Sequence, residues 1–282
     1  MVEIRTALAQ ASQVLEQEGV DSPRLDAELL LAHVLDANRA KVLAWPDRQL
    51  KPKELTLYRN LVTRRAGREP LAYILGQREF FGLDLLVDPR VLIPRPETEV
   101  LVEQALRLAR RIKTPLRIAD VGAGSGAIAV ALAVHLPEAM IYALDASAGA
   151  LEVAAANARR HQVSSRVVCL QGHLLAALPE RVEMIVGNLP YVATEEWDAL
   201  APEIRVHEPR AALVGGPDGL ELIRELLTMA GSHLAPPGAI LLEIGASQGA
   251  AVMAAAREHF PHAQVAVHQD YAGLDRVLAV AT

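Results

Sequence analysis

The stretch Arg117-Ile118-Ala119-Asp120-Val121-Gly122-Ala123-Gly124-Ser125-Gly126 decides how the rest of the chain is read. It is a strand running into a glycine turn that opens a helix. Glycine permits the tight turn and lets a ligand approach the backbone closely. Asp145 ends the next strand-like run, where a carboxylate can accept from both hydroxyls of a ribose. The unit therefore reads as a nucleoside-binding turn. Gly122, Gly124 and Ala127 also fit the looser dinucleotide pattern, so NAD suits it too, and a purely structural turn is the plain alternative.

Around this turn the period alternates. Apolar strand-like runs occupy 116–121, 140–144, 167–170, 182–186, 239–244, 265–268 and 277–280. Helical stretches fall at 97–112, 126–135, 147–161, 219–234 and 247–260. Such alternation implies an α/β fold with a mostly parallel seven-stranded sheet covered on both faces. The link between the last two strands is too short for a crossover helix, so they should pair antiparallel.

Upstream the pattern is different. From the start to about Leu75 the chain reads as helices, with Ile4, Leu8, Ala11 and Leu15 at helical spacing and Gly19 at a helix end. Asp21-Ser22-Pro23 offers a capping side chain and a first-turn proline, and Leu25, Leu29, Leu30 and Val34 form the expected buried stripe. A further amphipathic stretch runs over 53–65. Between Phe80 and Ile93, 80–87 and 91–93 read as short strands joined by a turn at Asp88-Pro89. The division is thus a helical domain 1–78, a β-hairpin linker 79–96 and an α/β domain 97–282.

Composition narrows the classes. Of 282 residues, 51% are hydrophobic and 22% charged, enough to bury a large core. The 28 Lys and Arg against 34 Asp and Glu give a net charge of −6, which disfavours a broad electrostatic grip on nucleic acid. One cysteine, Cys169, excludes a disulfide framework and a multi-cysteine zinc site, and no metal is expected. Met1-Val2-Glu3-Ile4-Arg5 shows no secretion signal, and the apolar run 127–134 is too short to span a membrane, so a soluble, cytoplasmic protein is expected.

A second stretch carries sharper chemistry. Gly187-Asn188-Leu189-Pro190-Tyr191 follows the 182–186 strand, at the carboxyl end where open α/β sheets place their sites. The Asn188 side-chain oxygen and the Leu189 carbonyl are two fixed acceptors suited to gripping an NH₂ group by both hydrogens. Pro190 holds Leu189 extended, and Tyr191 supplies a flat wall with a polar tip. A simple turn at a strand end is the alternative.

Asp120 to Gly126, Asp145 and Asn188 to Tyr191 resemble the motifs of class I (Rossmann-like) S-adenosylmethionine-dependent methyltransferases acting on planar NH₂ groups. Asn-x-Pro-Tyr is shared there by adenine and glutamine methyltransferases. Leu92-Ile93-Pro94-Arg95-Pro96-Glu97-Thr98-Glu99, after a small helical domain, resembles the HemK/PrmC family. So do Glu208-Pro209-Arg210-Ala211-Ala212-Leu213 with Gly215-Gly216, Glu243-Ile244-Gly245, and Asp270-Tyr271-Ala272-Gly273-Leu274-Asp275-Arg276. The resemblance implies methyl transfer from S-adenosyl-L-methionine to the side-chain amide nitrogen of the glutamine in the GGQ motif of class-1 peptide chain release factors. The partner would be the release factor, recognised by the helical domain, with no direct nucleic acid and no membrane.

It further implies catalytic roles for Asn188, Leu189, Pro190 and Tyr191. Cofactor binding would fall to Gly122, Ala123, Gly124, Ser125, Gly126, Asp145, His173, Leu174 and Asn188, with His173 and Leu174 flanking the adenine. Leu189 stands where the family usually has proline but keeps the needed carbonyl, and His173 stands where it commonly has Asp. Glu97 and Glu99 either line the cofactor pocket or start a helix. Arg95 either meets the protein substrate or pairs with a nearby carboxylate. An RNA adenine methyltransferase using the same loop is the alternative enzyme, and a cofactor-binding module without turnover the non-enzymatic one.

Overall fold

The computed structural model describes residues 2–112 and 115–282; Met1, where the reading for a secretion signal began, lies outside them. The chain divides into two compact units. One takes the chain up to Gly76 together with Ala201–His207, and the other takes Gln77–Leu200 and Glu208–Thr282.

In the helical unit a short antiparallel pair, β1 (Val2–Glu3) with β2 (Gln49–Leu50), accompanies α1 (Ile4–Gln17), α2 (Pro23–Val34), α3 (Arg39–Ala44), α4 (Pro52–Ala66) and α5 (Leu71–Leu75). Ile4, Leu15, Leu30, Leu31 and Tyr58 form its core. The stripe expected on α2 is rotated. Leu25 is 41% exposed, whereas Asp26, Ala27, Glu28, Leu30 and Leu31 are buried. The reason is that arginines neutralise the buried carboxylates: Arg65 reaches Asp26 at 2.7 Å, and Arg24 and Arg39 reach Glu28 at 3.0 and 2.6 Å. Pro23 does open α2, but the Ser22 side chain makes no capping hydrogen bond.

The second unit begins with a hairpin, β3 (Gln77–Phe80) and β4 (Leu83–Leu86). Its turn is Phe81-Gly82, not Asp88-Pro89, and 91–93 is not a strand. Both turn residues have positive φ, 52° and 75°, the type I′ geometry that matches the twist of a two-residue hairpin. Phe81 tolerates it because its N–H donates to Glu99 at 3.0 Å and its ring meets His135 edge-on at 5.1 Å.

Beyond lie α6 (Thr98–Ala109), β5 (Arg117–Val121), α7 (Ala127–His135), β6 (Met140–Asp145), α8 (Ala148–Arg160), β7 (Val167–Gln171) and β8 (Val182–Gly187). After α9 (Pro202–His207), which belongs to the helical unit, come α10 (Glu221–His233), β9 (Leu234–Glu243), α11 (Gly249–His259), β10 (Gln264–Gln269) and β11 (Asp275–Ala281). The sheet order is β10-β11-β9-β8-β5-β6-β7, parallel except for β11, which is antiparallel to both neighbours. All seven strands and the antiparallel closing pair match the expectation. Alternate residues feed two cores: Ile118, Met184 and Leu241 pack with α6 and α7, while Ala119, Ile185 and Leu242 pack with α10 and α11.

Candidate active site at the carboxyl edge of the sheet

Register assembles the site. Val121 of β5 pairs with Leu144 of β6 and with Gly187 of β8, and Gly187 in turn pairs with Leu242 of β9. The next residue of each strand or loop therefore falls on one line: Asp145, Gly122, Asn188 and Glu243. The strand order reverses between β5 and β8, and the crevice at such a switch point is where open α/β sheets hold ligands.

The glycine turn is tied to this edge by its own backbone. The Gly122 and Ala123 N–H groups both donate to the Leu144 carbonyl, at 2.9 and 3.0 Å. Asp145 accepts from the Gly124 N–H at 2.9 Å and from the Ser147 N–H at 2.8 Å, one bond per oxygen. Each oxygen keeps a free lone pair. Gly126 has φ +76°, and a Cβ there would stand 3.0 Å from the Ala154 Cβ, so only glycine lets α7 begin this close to α8. Asn157, buried on α8, holds the turn from behind by donating to the Ser125 carbonyl at 2.8 Å and to the Leu86 carbonyl at 2.9 Å.

A cavity of about 270 Å³ opens along the line. Among the residues singled out in the sequence, Gly122, Gly124, Asp145, His173, Leu174, Asn188, Leu189 and Pro190 line it. Ala123, Ser125, Gly126 and Tyr191 do not: the first two are buried beneath the turn, and Gly126 packs on α8. His173 lines the cavity but also holds Glu225 of α10 at 2.8 Å, in an exposed pair worth little energetically. Arg95 pairs with Glu208 at 2.5 Å, and Glu208 also accepts from the Ile93 N–H at 3.1 Å. Of the two readings of Arg95 the structure shows the pairing with a nearby carboxylate, and Glu99 accepts from the hairpin's Phe81 N–H.

The loop from Asn188 to Tyr191 is backed by a polar cluster. Asn188 Nδ2 donates to Thr98 Oγ1 at 3.1 Å, which turns its side-chain oxygen the other way. The Tyr191 hydroxyl donates to Glu243 Oε1 at 3.2 Å, and the Tyr191 carbonyl accepts from Gln248 Nε2 at 2.9 Å. Burial pushes the Glu243 carboxyl up to about 7, against the lowering pull of Thr98, Arg276 and Tyr191. Burial also pushes the Tyr191 phenol well above its usual range.

Sequence reasoning passed over Thr98, Asn157 and Glu243 as site residues. Only Glu243 carried a readable signal, a lone acid closing an otherwise apolar strand. Val91 and Leu92, read in the sequence as part of a short strand, also line the cavity with Arg90 beside them, as do Pro209, Ala211 and Ala212 from a segment known only by resemblance.

The chain matches the family models described as PrmC N-terminal domain, over residues 6–76, and Methyltransferase small domain, over residues 98–217. It is 44% identical over 277 residues to a release factor glutamine methyltransferase of Geobacter sulfurreducens, covering 98% of this chain and 95% of that one. A protein of the same name from Moorella thermoacetica is 43% identical over 274 residues, covering 97% and 96%. The fold resembles a methyltransferase from Pyrococcus furiosus with a TM-score of 0.53 at 17% identity, covering 79% of this chain and 98% of that one.

Proposed function

The chain belongs to the release factor glutamine methyltransferase family, and we propose that it methylates the side-chain amide nitrogen of the GGQ glutamine in class-1 peptide chain release factors. The observation that carries this reading is the adjacency of Asn188 to the glycine turn across the β5–β8 register.

S-adenosyl-L-methionine, rather than the dinucleotide that the glycine pattern left open, fits the residues present. The cavity runs past Gly122 and Gly124, Asp145 keeps free lone pairs for ribose hydroxyls, and Leu174, Ala146 and Ala150 offer apolar surface to a flat ring. In our reading the glycine turn holds the methionine portion, Asp145 the ribose, and His173 with Leu174 the adenine. The cofactor supplies a methyl group already made electrophilic by its sulfonium.

The difficulty lies with the nucleophile, because an amide nitrogen delocalises its lone pair into the carbonyl. The Asn188 side-chain oxygen and the Leu189 carbonyl accept the two N–H groups of the substrate glutamine. They orient its nitrogen and stabilise the positive charge that develops there. No strong base is needed, since the proton leaves after transfer. Pro190 keeps the Leu189 carbonyl aimed, and Tyr191 braces the loop through Glu243 and Gln248.

We assign recognition of the release factor to the helical unit, and the cytoplasm, where release factors act, as the working compartment. Among the described residues no helix is long and apolar enough to cross a membrane.

Mass spectrometry of release factor incubated with enzyme and cofactor tests the reading, with ribosomal RNA as the competing acceptor. One added methyl group on a single glutamine side chain is expected. Methylation of RNA instead, or of another residue type, would reject it.

A further inference from the structure

The two acceptors proposed for the substrate amide differ in kind. The Leu189 carbonyl is fixed by the backbone. A carboxamide such as that of Asn188 can turn over, presenting NH₂ where its oxygen should be, and a donor there would repel the substrate N–H. Something must hold it. In the structure that neighbour is Thr98 Oγ1, which accepts from Nδ2 at 3.1 Å.

A threonine hydroxyl can also donate, so Thr98 alone would fix nothing. Its proton must be drawn elsewhere. Glu243 stands next along the carboxyl edge, 1% exposed, accepting from the Tyr191 hydroxyl at 3.2 Å, with the Thr98 hydroxyl near enough to pull its carboxyl down. Its Oε1 takes the Tyr191 hydroxyl, and its Oε2 is buried without a hydrogen-bond partner among the described residues, an unmet acceptor on a carboxyl that the Thr98 hydroxyl favours in its ionised form. An ionised carboxylate can only accept. It therefore draws the Thr98 proton toward itself and leaves the threonine lone pairs facing Asn188.

We propose that Glu243 and Thr98 are positioning residues that fix the direction of the Asn188 carboxamide, so that its oxygen and not its nitrogen meets the substrate. This rests on the assignment of Asn188 to the substrate amide made above. Protonated Glu243 can itself donate to Thr98, whose hydroxyl is then free to donate to Asn188 and reverse the amide. The groups facing Glu243 are the Thr98 and Tyr191 hydroxyls, Arg276 of β11 and Glu97 ahead of α6. Arg276 favours the ionised form and Glu97 opposes it, so the competent state is the one above the carboxyl's titration.

The test uses Thr98→Val, Thr98→Ser and Glu243→Gln in the full chain, with Asn188→Ala as reference. In Thr98→Val, kcat should fall roughly tenfold or more, as expected for a misoriented group, while binding of S-adenosylmethionine, measured by calorimetry, is unchanged. Thr98→Ser should restore kcat. The wild-type kcat should decline on the acid side of neutrality, and Glu243→Gln should lose that limb. A pH-difference infrared spectrum of the cofactor-free protein gives a readout independent of turnover: of the two carboxyls pushed up to about 7, Asp120 and Glu243, the signal lost in Glu243→Gln should be the one that survives in Asp120→Asn.

Wild-type kcat in Thr98→Val, or an unaltered acid limb or infrared titration in Glu243→Gln, would overturn the proposal. If Asn188→Ala is inactive while Thr98→Val is normal, only this inference falls. If Asn188→Ala turns over normally, the assignment beneath it falls as well.

Discussion

Asp120 shows in a single residue how burial sets a charge. In the sequence it heads the glycine motif with no role of its own. In the structure it is fully buried: one oxygen accepts from the Ala129 N–H at 2.9 Å in the first turn of α7, and the other has no partner among the described residues. Burial, with the Asp145 charge adding to it, pushes its carboxyl up to about 7. The folded state thus holds this proton far above the pH at which an unfolded chain would release it. Its contribution to stability is complete in acid and is lost as pH rises through about 7. Stability measured by urea unfolding should fall between about pH 4 and 7 and level off above, and fall less steeply in Asp120→Asn, which keeps an acceptor for Ala129. Equal slopes would contradict the burial argument. Leu189 holds a similar lesson. Its carbonyl was the group singled out in the sequence; its side chain is buried, lying 3.2 Å from where a Cβ on Gly122 would be.

At the level of elements, what was legible follows from periodicity and what was not follows from pairing. The seven strands could be read because apolar runs buried on both faces have few other homes. The hairpin was misplaced because a type I′ turn at Phe81-Gly82 lacks the usual Asn-Gly signal, whereas Asp88-Pro89 looked like a turn. The α2 stripe was misjudged because no periodicity reveals that arginines from α3 and α4 will neutralise Asp26 and Glu28. The two glycines with left-handed φ at Gly82 and Gly126 should respond differently to alanine. At Gly82 nothing lies within 4 Å of the added Cβ, so only the backbone penalty of roughly 1–2 kcal/mol applies. At Gly126 the Cβ also meets Ala154 at 3.0 Å, its backbone at 3.1 Å, so α7 and α8 must part. Urea denaturation should show Gly126→Ala losing clearly more stability than Gly82→Ala, with weaker cofactor binding in the former alone. Equal losses would mean that the α7–α8 approach is not tight.

Across the whole molecule, the site exists because four strand ends finish level. Sequence could name Asp145, Gly122 and Asn188 separately, since each closes or follows an apolar run. It could not show Thr98 and Glu243 behind Asn188, because that contact depends on register and on where α6 begins. Nor could it show that Ala201–His207 leaves the sheet unit to join the helical one, where Glu203 meets Arg65 at 3.1 Å and Arg68 at 2.7 Å. The proposed function rests on one loop offering two acceptors to a carboxamide. The decisive measurement is single-turnover methyl transfer to release factor by Asn188→Ala at saturating cofactor. The rate should drop about 10²-fold or more, with cofactor affinity suffering less. A rate close to that of the unmodified protein would mean that the glutamine amide is held somewhere else.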